Sequence, residues 1–194
     1  KLEFKSTLRT NLHTNEIDRK MELSCLKTIT AFLNSESGTL LIGVSDSGNI
    51  LGIEKDHFIS NDKFNLHFTN LVKEHIGNEF LPYIHSELIQ IEEKNILKVD
   101  CLKSDKPVFL RYNKLEEFYM RLGAATVQIT GSKLINYINN QIIETKKFNK
   151  KSRNKLLHKT AQFEGSQIYV FLINELRALD KLNIFGVADD FKYA

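Results

Sequence analysis

Apolar and polar positions change period repeatedly along the chain. Leu2 and Phe4 alternate with Glu3 and Lys5, the two-residue period of a half-exposed strand that puts Glu3 and Lys5 on one face. From about Asp18 to Leu33 the spacing lengthens to that of a helix, with Leu23, Leu26, Ile29 and Phe32 on one side. Asn34 and Gly38 then supply residues that tolerate left-handed backbone, which is where a helix must stop. Residues 39–44 form a continuous apolar run too short for a helix and read as a buried strand. Ser45, Asp46, Ser47, Gly48 and Asn49 turn the chain, and residues 50–53 are expected to return as the partner strand.

The alternation continues downstream. Phe64, Phe68, Leu71, Val72 and His75 mark a second helix ending near Gly77. Residues 84–91 and 96–101, separated by Glu92, Glu93, Lys94 and Asn95, predict a second hairpin. Pro107 opens a short apolar run at 108–110, Tyr112, Asn113 and Lys114 interrupt it, and 118–121 resumes as a strand before a turn at Gly123 and Ala124. Ser132 is a candidate N-cap for a helix carrying Leu134, Ile135, Ile138, Gln141 and Ile142. Residues 167–182 keep helical register through Ile168, Phe171, Leu172, Leu176 and Leu179. Helices and strands do not alternate one for one, so an α+β domain is expected, not a doubly wound parallel sheet. We place that domain at residues 1–145, a basic linker at 146–162 and a helical extension at 163–194 whose apolar face needs a partner.

At 194 residues the chain can bury a real core as one domain with a small appendage. No apolar run approaches the ~20 residues that cross a bilayer, and the start lacks the apolar block of a signal peptide, so we expect a cytoplasmic protein with no membrane partner. Cys25 and Cys101 are too few for a disulfide framework or a thiolate zinc site and read as buried thiols. The net charge of +3 predicts no partner, but its distribution is informative. Lys146, Lys147, Lys150, Lys151, Arg153, Lys155 and Lys159 include no acid among them, so this one segment carries the whole excess and leaves −4 elsewhere. A solvated linker and a polyanion contact explain it equally well.

Several chemistries fail on spacing. Gly131, Ser132 and Lys133 stand in the wrong order for a phosphate loop and lack its upstream glycine. The run from Gly43 to Ser47 lacks the closing glycine of a hydrolase elbow and leads to a strand, where an elbow leads to a helix. The histidines at 13, 57, 67, 75, 85 and 158 show no metal-binding pair at helical spacing beside an acid. Two carboxylates remain. Glu3 on the first strand and Asp46 at the exit of the 39–44 strand could hold one divalent cation if those strands are neighbours, and such a cation would orient water against a phosphodiester. The competing readings are plain: Asp46 is the kind of residue a turn favours, and Glu3 fits a solvent-facing strand position.

The segments Leu2–Lys5, Thr28–Asn34 and Gly38–Asp46, followed by Tyr119, Arg121, Gly123 and Thr126, resemble the Schlafen-type AlbA domain, whose pattern runs approximately LEFK, KTIxAFxNTxGGxLxIGVxDxGxIxGI and YxRxGxxT. The blocks keep their order and span Leu2 to about Gln141. The resemblance implies an α+β fold with mixed, largely antiparallel sheets flanked by helices. In the family's nuclease members it implies Mg2+- or Mn2+-dependent cleavage of structured RNA such as tRNA, in phage defence or stress. Two of the three family acids fall on Glu3 and Asp46, as catalytic residues and metal ligands, and the third is expected upstream of Lys1. Ser37-Gly38 replaces the usual Gly-Gly, which implies a slightly altered helix-to-strand turn, and the zinc-binding residues of animal Schlafens have no counterparts. Lys5, Arg121, Lys146, Lys147, Lys150 and Lys151 would contact nucleic acid, with a surface ion pair the equal alternative for Arg121. Animal Schlafens pair two such domains, so a homodimer enclosing the RNA is expected. The rival reading is a regulatory module that binds DNA or RNA without cutting it.

Overall fold

In the computed structural model, which describes residues 1–140, the alternation at the start of the chain becomes strand β1 (Leu2–Lys5). A short ribbon of β2 (Thr10–Asn11) and β3 (Glu16–Ile17) leads to Asp18, whose side chain accepts the Lys20 N–H and caps helix α1 (Arg19–Leu33). The predicted stripe is the buried one: Leu26, Ile29, Phe32 and Leu33 are almost fully enclosed, each contributing roughly 2–3 kcal/mol of apolar burial. Ser37 then takes φ 68°, the left-handed conformation a glycine would fill more cheaply, and its hydroxyl accepts the Lys103 N–H at 2.8 Å. Gly38 opens β4 (Gly38–Ile42), and only glycine fits there because a Cβ would land inside the Phe32 ring.

β4 runs parallel to β1, pairing Leu2 with Thr39 and Lys5 with Ile42. The expected partner strand at 50–53 does not form beyond a single bridge between Val44 and Ile50, and Ile53–Asp56 coils into a 3-10 turn. The physical reason is topological. β4 has two edges, and both are filled, by β1 on one side and by β6 on the other. Gly43 turns away at φ 94° and its carbonyl accepts the Leu51 and Gly52 N–H groups instead of a ladder partner.

Helix α2 (Asn61–His75) starts on the Ser60 hydroxyl and ends just before Gly77 at φ 122°. β5 (Ile84–Ile91) and β6 (Lys94–Cys101) form the second hairpin, reversed by Glu92 and Glu93, both left-handed. This is the tight two-residue reversal, so Lys94 and Asn95 join the ladder where the sequence placed them in the turn. The four-stranded sheet has the order β1-β4-β6-β5, with one parallel and two antiparallel pairings. Leu40, Ile42, Leu97 and Val99 line its covered face. β7 (Leu110–Tyr112) pairs with β8 (Leu115–Glu117), since Asn113 and Lys114 are also left-handed and make the interruption at 112–114 a hairpin tip. β9 (Tyr119–Leu122) pairs with β10 (Ala125–Gln128) across Gly123, and residues 131–140 are helical. The fold is α+β with mixed, largely antiparallel sheets. Among the described residues no helix is long and apolar enough to cross a membrane. Lys1–Asn139 form one unit. The boundary expected at 145, the basic linker 146–162 and the extension 163–194 lie outside the described residues.

Candidate functional site

Alternation along β1 sorts its side chains by face, and register decides which face is inside. Glu3 pairs with Leu40 and Lys5 with Ile42, both fully buried, so the charged residues lie on the covered side of the sheet. Leu2 and Phe4 take the opposite side, where Leu2 is exposed. This inverts the arrangement that alternation alone favours, because β1 is an edge strand and a buried cation waits beside its covered face.

That cation is Arg121. Its side chain is 3 % exposed, and its guanidinium meets Glu3 at 3.0 Å. The same guanidinium donates to the Thr126 hydroxyl at 2.9 Å and to the Ala124 carbonyl, and it lies 5.4 Å from the centre of the Phe32 ring. The β9–β10 hairpin makes this possible by placing Thr126 directly across from Arg121. The Arg121 backbone N–H donates to the Ser35 hydroxyl at 2.9 Å, which ties the hairpin to the end of α1. Glu3, with a side chain 24 % exposed, also receives Lys5 Nζ at 3.2 Å. One partly buried carboxylate thus serves two cations, as a buried charge must be paired to be tolerated.

Asp46 sits in another setting. It lies in the exposed turn after β4, closed by Ser45 N–H to the Asn49 carbonyl at 3.0 Å and by Asn49 N–H to the Ser45 hydroxyl at 3.0 Å. Among the described residues nothing hydrogen-bonds or ion-pairs with Asp46, and no partner is shared with Glu3. Gly43 and Val44, just before that turn, donate to the Lys5 carbonyl at 2.8 and 3.1 Å. The structure brings Glu3, Lys5 and Arg121 together, and among the described residues no hydrogen bond or ion pair joins Asp46 to them. Lys146, Lys147, Lys150 and Lys151 lie outside the described residues.

A divalent ion held by family-type acids needs converging, uncommitted oxygens. Among the described residues no group of three or more His, Cys, Asp or Glu side chains is arranged to hold a metal ion. Glu3 and Asp46 are the residues here that would hold one, with the Glu3 carboxylate already paired to Arg121 and Lys5. Arg121, expected as a phosphate contact, is buried, and its guanidinium meets Glu3, Thr126 and Ala124 inside the fold.

Two supporting groups do more than local spacing indicates, which marks Asn34 only as a helix stop and gives Asp56 no role. Asn34 is buried and stitches the end of α1 to two other segments, donating to the Val108 carbonyl at 2.8 Å and the Tyr119 carbonyl at 3.0 Å while accepting the Val108 N–H at 2.8 Å. Asp56 is fully buried and accepts the N–H groups of Leu8, Arg9 and Thr10 at 2.8 to 2.9 Å, fixing the loop after β1. A polar residue at a helix end or in a loop gives no advance sign of such long-range bonding. Both thiols are enclosed, and burial pushes Cys25 and Cys101 up to about 12. They are inert, not nucleophiles.

Comparison with known proteins agrees with this architecture. The family model described as Schlafen, AlbA_2 matches residues 1–130. No curated protein matches the chain. A crystal structure of the DIP2311 protein from Corynebacterium diphtheriae is similar at 13 % identity and TM-score 0.50, over 66 % of this chain and 24 % of that one. This chain thus spans about a quarter of that protein's length. The solution structure of the N-terminal domain of a RecG-related protein from Nitrosomonas europaea aligns at 20 % identity and TM-score 0.41, over 68 % of this chain and 84 % of that domain.

Proposed function

Since the chain belongs to the Schlafen AlbA_2 family, matched over residues 1–130, we propose that it is a nucleic-acid-binding protein whose affinity comes chiefly from its basic segment. The observation that carries this reading is the segregation of charge. Residues 1–140 hold 17 basic and 18 acidic side chains, whereas residues 141–194 hold 10 basic and 6 acidic. Residues 1–140 are close to neutral, and the cations that would neutralise phosphates are gathered in the run from Lys146 to Lys159. Structured RNA of the tRNA type is the ligand we favour, with DNA the alternative, and we place the encounter in the cytoplasm. Fluorescence anisotropy of the intact protein with a labelled tRNA and with a DNA duplex of similar length tests this. Saturable, salt-sensitive binding is expected, with tRNA preferred. Absence of binding at low salt overturns it.

A second reading is divalent-metal-dependent cleavage of that RNA, with Glu3 and Asp46 as the acids and two copies enclosing the substrate. One observation favours it: Asp46 is an exposed carboxylate without a partner among the described residues, in the turn that follows the strand paired with β1. Glu3 is paired with Arg121 and Lys5, which would hold its carboxylate in place as a ligand. Incubation of the intact protein with tRNA and Mn2+ decides the matter. Cleavage lost in Asp46→Ala supports this reading, and equal cutting by both forms removes Asp46 from it. Sedimentation of the protein with and without RNA tests for the dimer.

A further inference from the structure

A broad, shallow depression with room for about 450 Å³ lies between the loop after the 3-10 turn and the first turns of α2. Its wall combines two chemistries. Arg9 and Lys63 supply positive charge, and Phe58, Ile59 and Leu66 supply apolar surface. The volume falls in the range of small-ligand sites, roughly 300–1,000 Å³.

Arg9 is held in place without being neutralised. Its Nε donates to the Asp56 carbonyl at 3.0 Å and one Nη to the His57 carbonyl at 3.3 Å. Both acceptors are backbone oxygens, so the guanidinium keeps its full charge. Its plane stands 3.5 Å over the Phe58 ring, which Phe64 supports edge-on at 5.3 Å. The Asp56 carboxylate forms no ion pair with Arg9; its oxygens accept the Leu8, Arg9 and Thr10 backbone N–H groups. Lys63 forms no ion pair among the described residues. Of the acids near the wall, Glu22 is taken by His67 at 2.7 Å. Arg9 and Lys63 therefore line one concavity, and neither has an ion-pair partner among the described residues.

The apolar side makes the ligand more than a bare anion. Ile59 is 97 % exposed and Leu66 53 % exposed, next to each other on the rim. A flat heterocycle laid on them removes apolar area from water while an attached phosphate reaches Arg9 and Lys63. We propose that this depression binds a nucleoside phosphate, either as a free mononucleotide or as the 5′-phosphorylated end of a strand. The proposal uses none of the residues of the basic segment and does not depend on the function proposed above.

Calorimetric titration of the full chain tests it with five probes: AMP, CMP, inorganic phosphate, and one short oligonucleotide with and without a 5′-phosphate. Saturable binding of AMP or CMP, or of the phosphorylated strand over its unphosphorylated twin, is expected, and which of these saturates identifies the source. Lys63→Gln should weaken that binding about tenfold, as loss of one charge-assisted hydrogen bond does, and Leu66→Glu should abolish it. Both substitutions are on exposed helix positions, and circular dichroism checks that the fold is unchanged. No saturable binding by any nucleotide or strand, equal affinity of the wild type and Lys63→Gln, or inorganic phosphate binding as tightly as AMP overturns the proposal. Mononucleotide binding without polymer binding would uphold this site and count against the nucleic-acid function, so the two fail separately.

Discussion

Replacing Arg121 by methionine keeps the bulk and removes the charge, which isolates what the ion pair does. The substitution deletes the 3.0 Å contact to Glu3, the 2.9 Å bond to Thr126 and the bond to the Ala124 carbonyl. It leaves Glu3 partly buried with Lys5 alone. Breaking a buried pair by removing one partner costs about 3–5 kcal/mol, and Glu3 keeps enough water contact to put the loss near the lower figure. Against a total of roughly 5–15 kcal/mol for a domain, this is a large fraction. With a urea slope of about 1–3 kcal/mol per molar, the unfolding midpoint of the full chain should fall by about 1 M or more. Glu3→Gln should also destabilise, by about 2 kcal/mol, because a charged guanidinium is left inside with only neutral acceptors. The double variant should lose less than the sum, with a coupling of about 1–3 kcal/mol. A midpoint unchanged or raised in Glu3→Gln would refute the reasoning, since that is how Glu3 would behave as an uncompensated acid kept for a cation. Two substitutions that add without coupling would refute it as well.

Further expectations follow from the same contacts. Asn34→Ala strands two carbonyls and one N–H in the interior and should cost about 3 kcal/mol in urea unfolding; a loss under about 1 kcal/mol would mean water takes over those bonds. With both thiols buried and pushed up to about 12, the native protein should release no chromophore from a disulfide reagent at pH 8 and two equivalents once unfolded; rapid labelling of the native form would contradict this. The Thr39 hydroxyl, and then Lys98, hold Asp100 below the usual carboxylate range. Its folded value is depressed, so its contribution is fully present above the unfolded value of about 4 and is lost as pH falls through the folded one. Thr39→Val should move the Asp100 titration upward in a carboxyl NMR experiment and reduce stability slightly at neutral pH; an unmoved titration would discount the 2.6 Å bond.

Much of the fold was legible because its signals are local. The stripes of α1 and α2, the alternation of β1 and the turn at Glu92 and Glu93 each follow from spacing within a few residues. The strand expected at 50–53 failed for a non-local reason: whether an apolar segment pairs depends on a vacant sheet edge, and β6, some fifty residues further on, fills the one that β4 had left. The candidate site divides in the same way. Alternation put Glu3 and Lys5 on one face but could not tell which face is covered, and that is fixed by an arginine 118 positions away. The same contact pairs Arg121 with an acid distant in sequence, which local spacing does not reveal. The Ser37 substitution was readable as an altered turn, but the bond from Lys103 that compensates it belongs to a segment the local pattern never touches.

The basic segment is tested most directly by its salt slope on a structured RNA. Anisotropy titrations of the full chain at several salt concentrations should give a line whose slope becomes shallower by about 3 when Lys146, Lys147, Lys150 and Lys151 are all changed to glutamine, at roughly 0.7–0.9 for each phosphate no longer neutralised. Affinity at low salt should drop by at least about tenfold. An unchanged slope and affinity in the fourfold variant would contradict the account, because the excess charge of the chain would then have no part in holding nucleic acid.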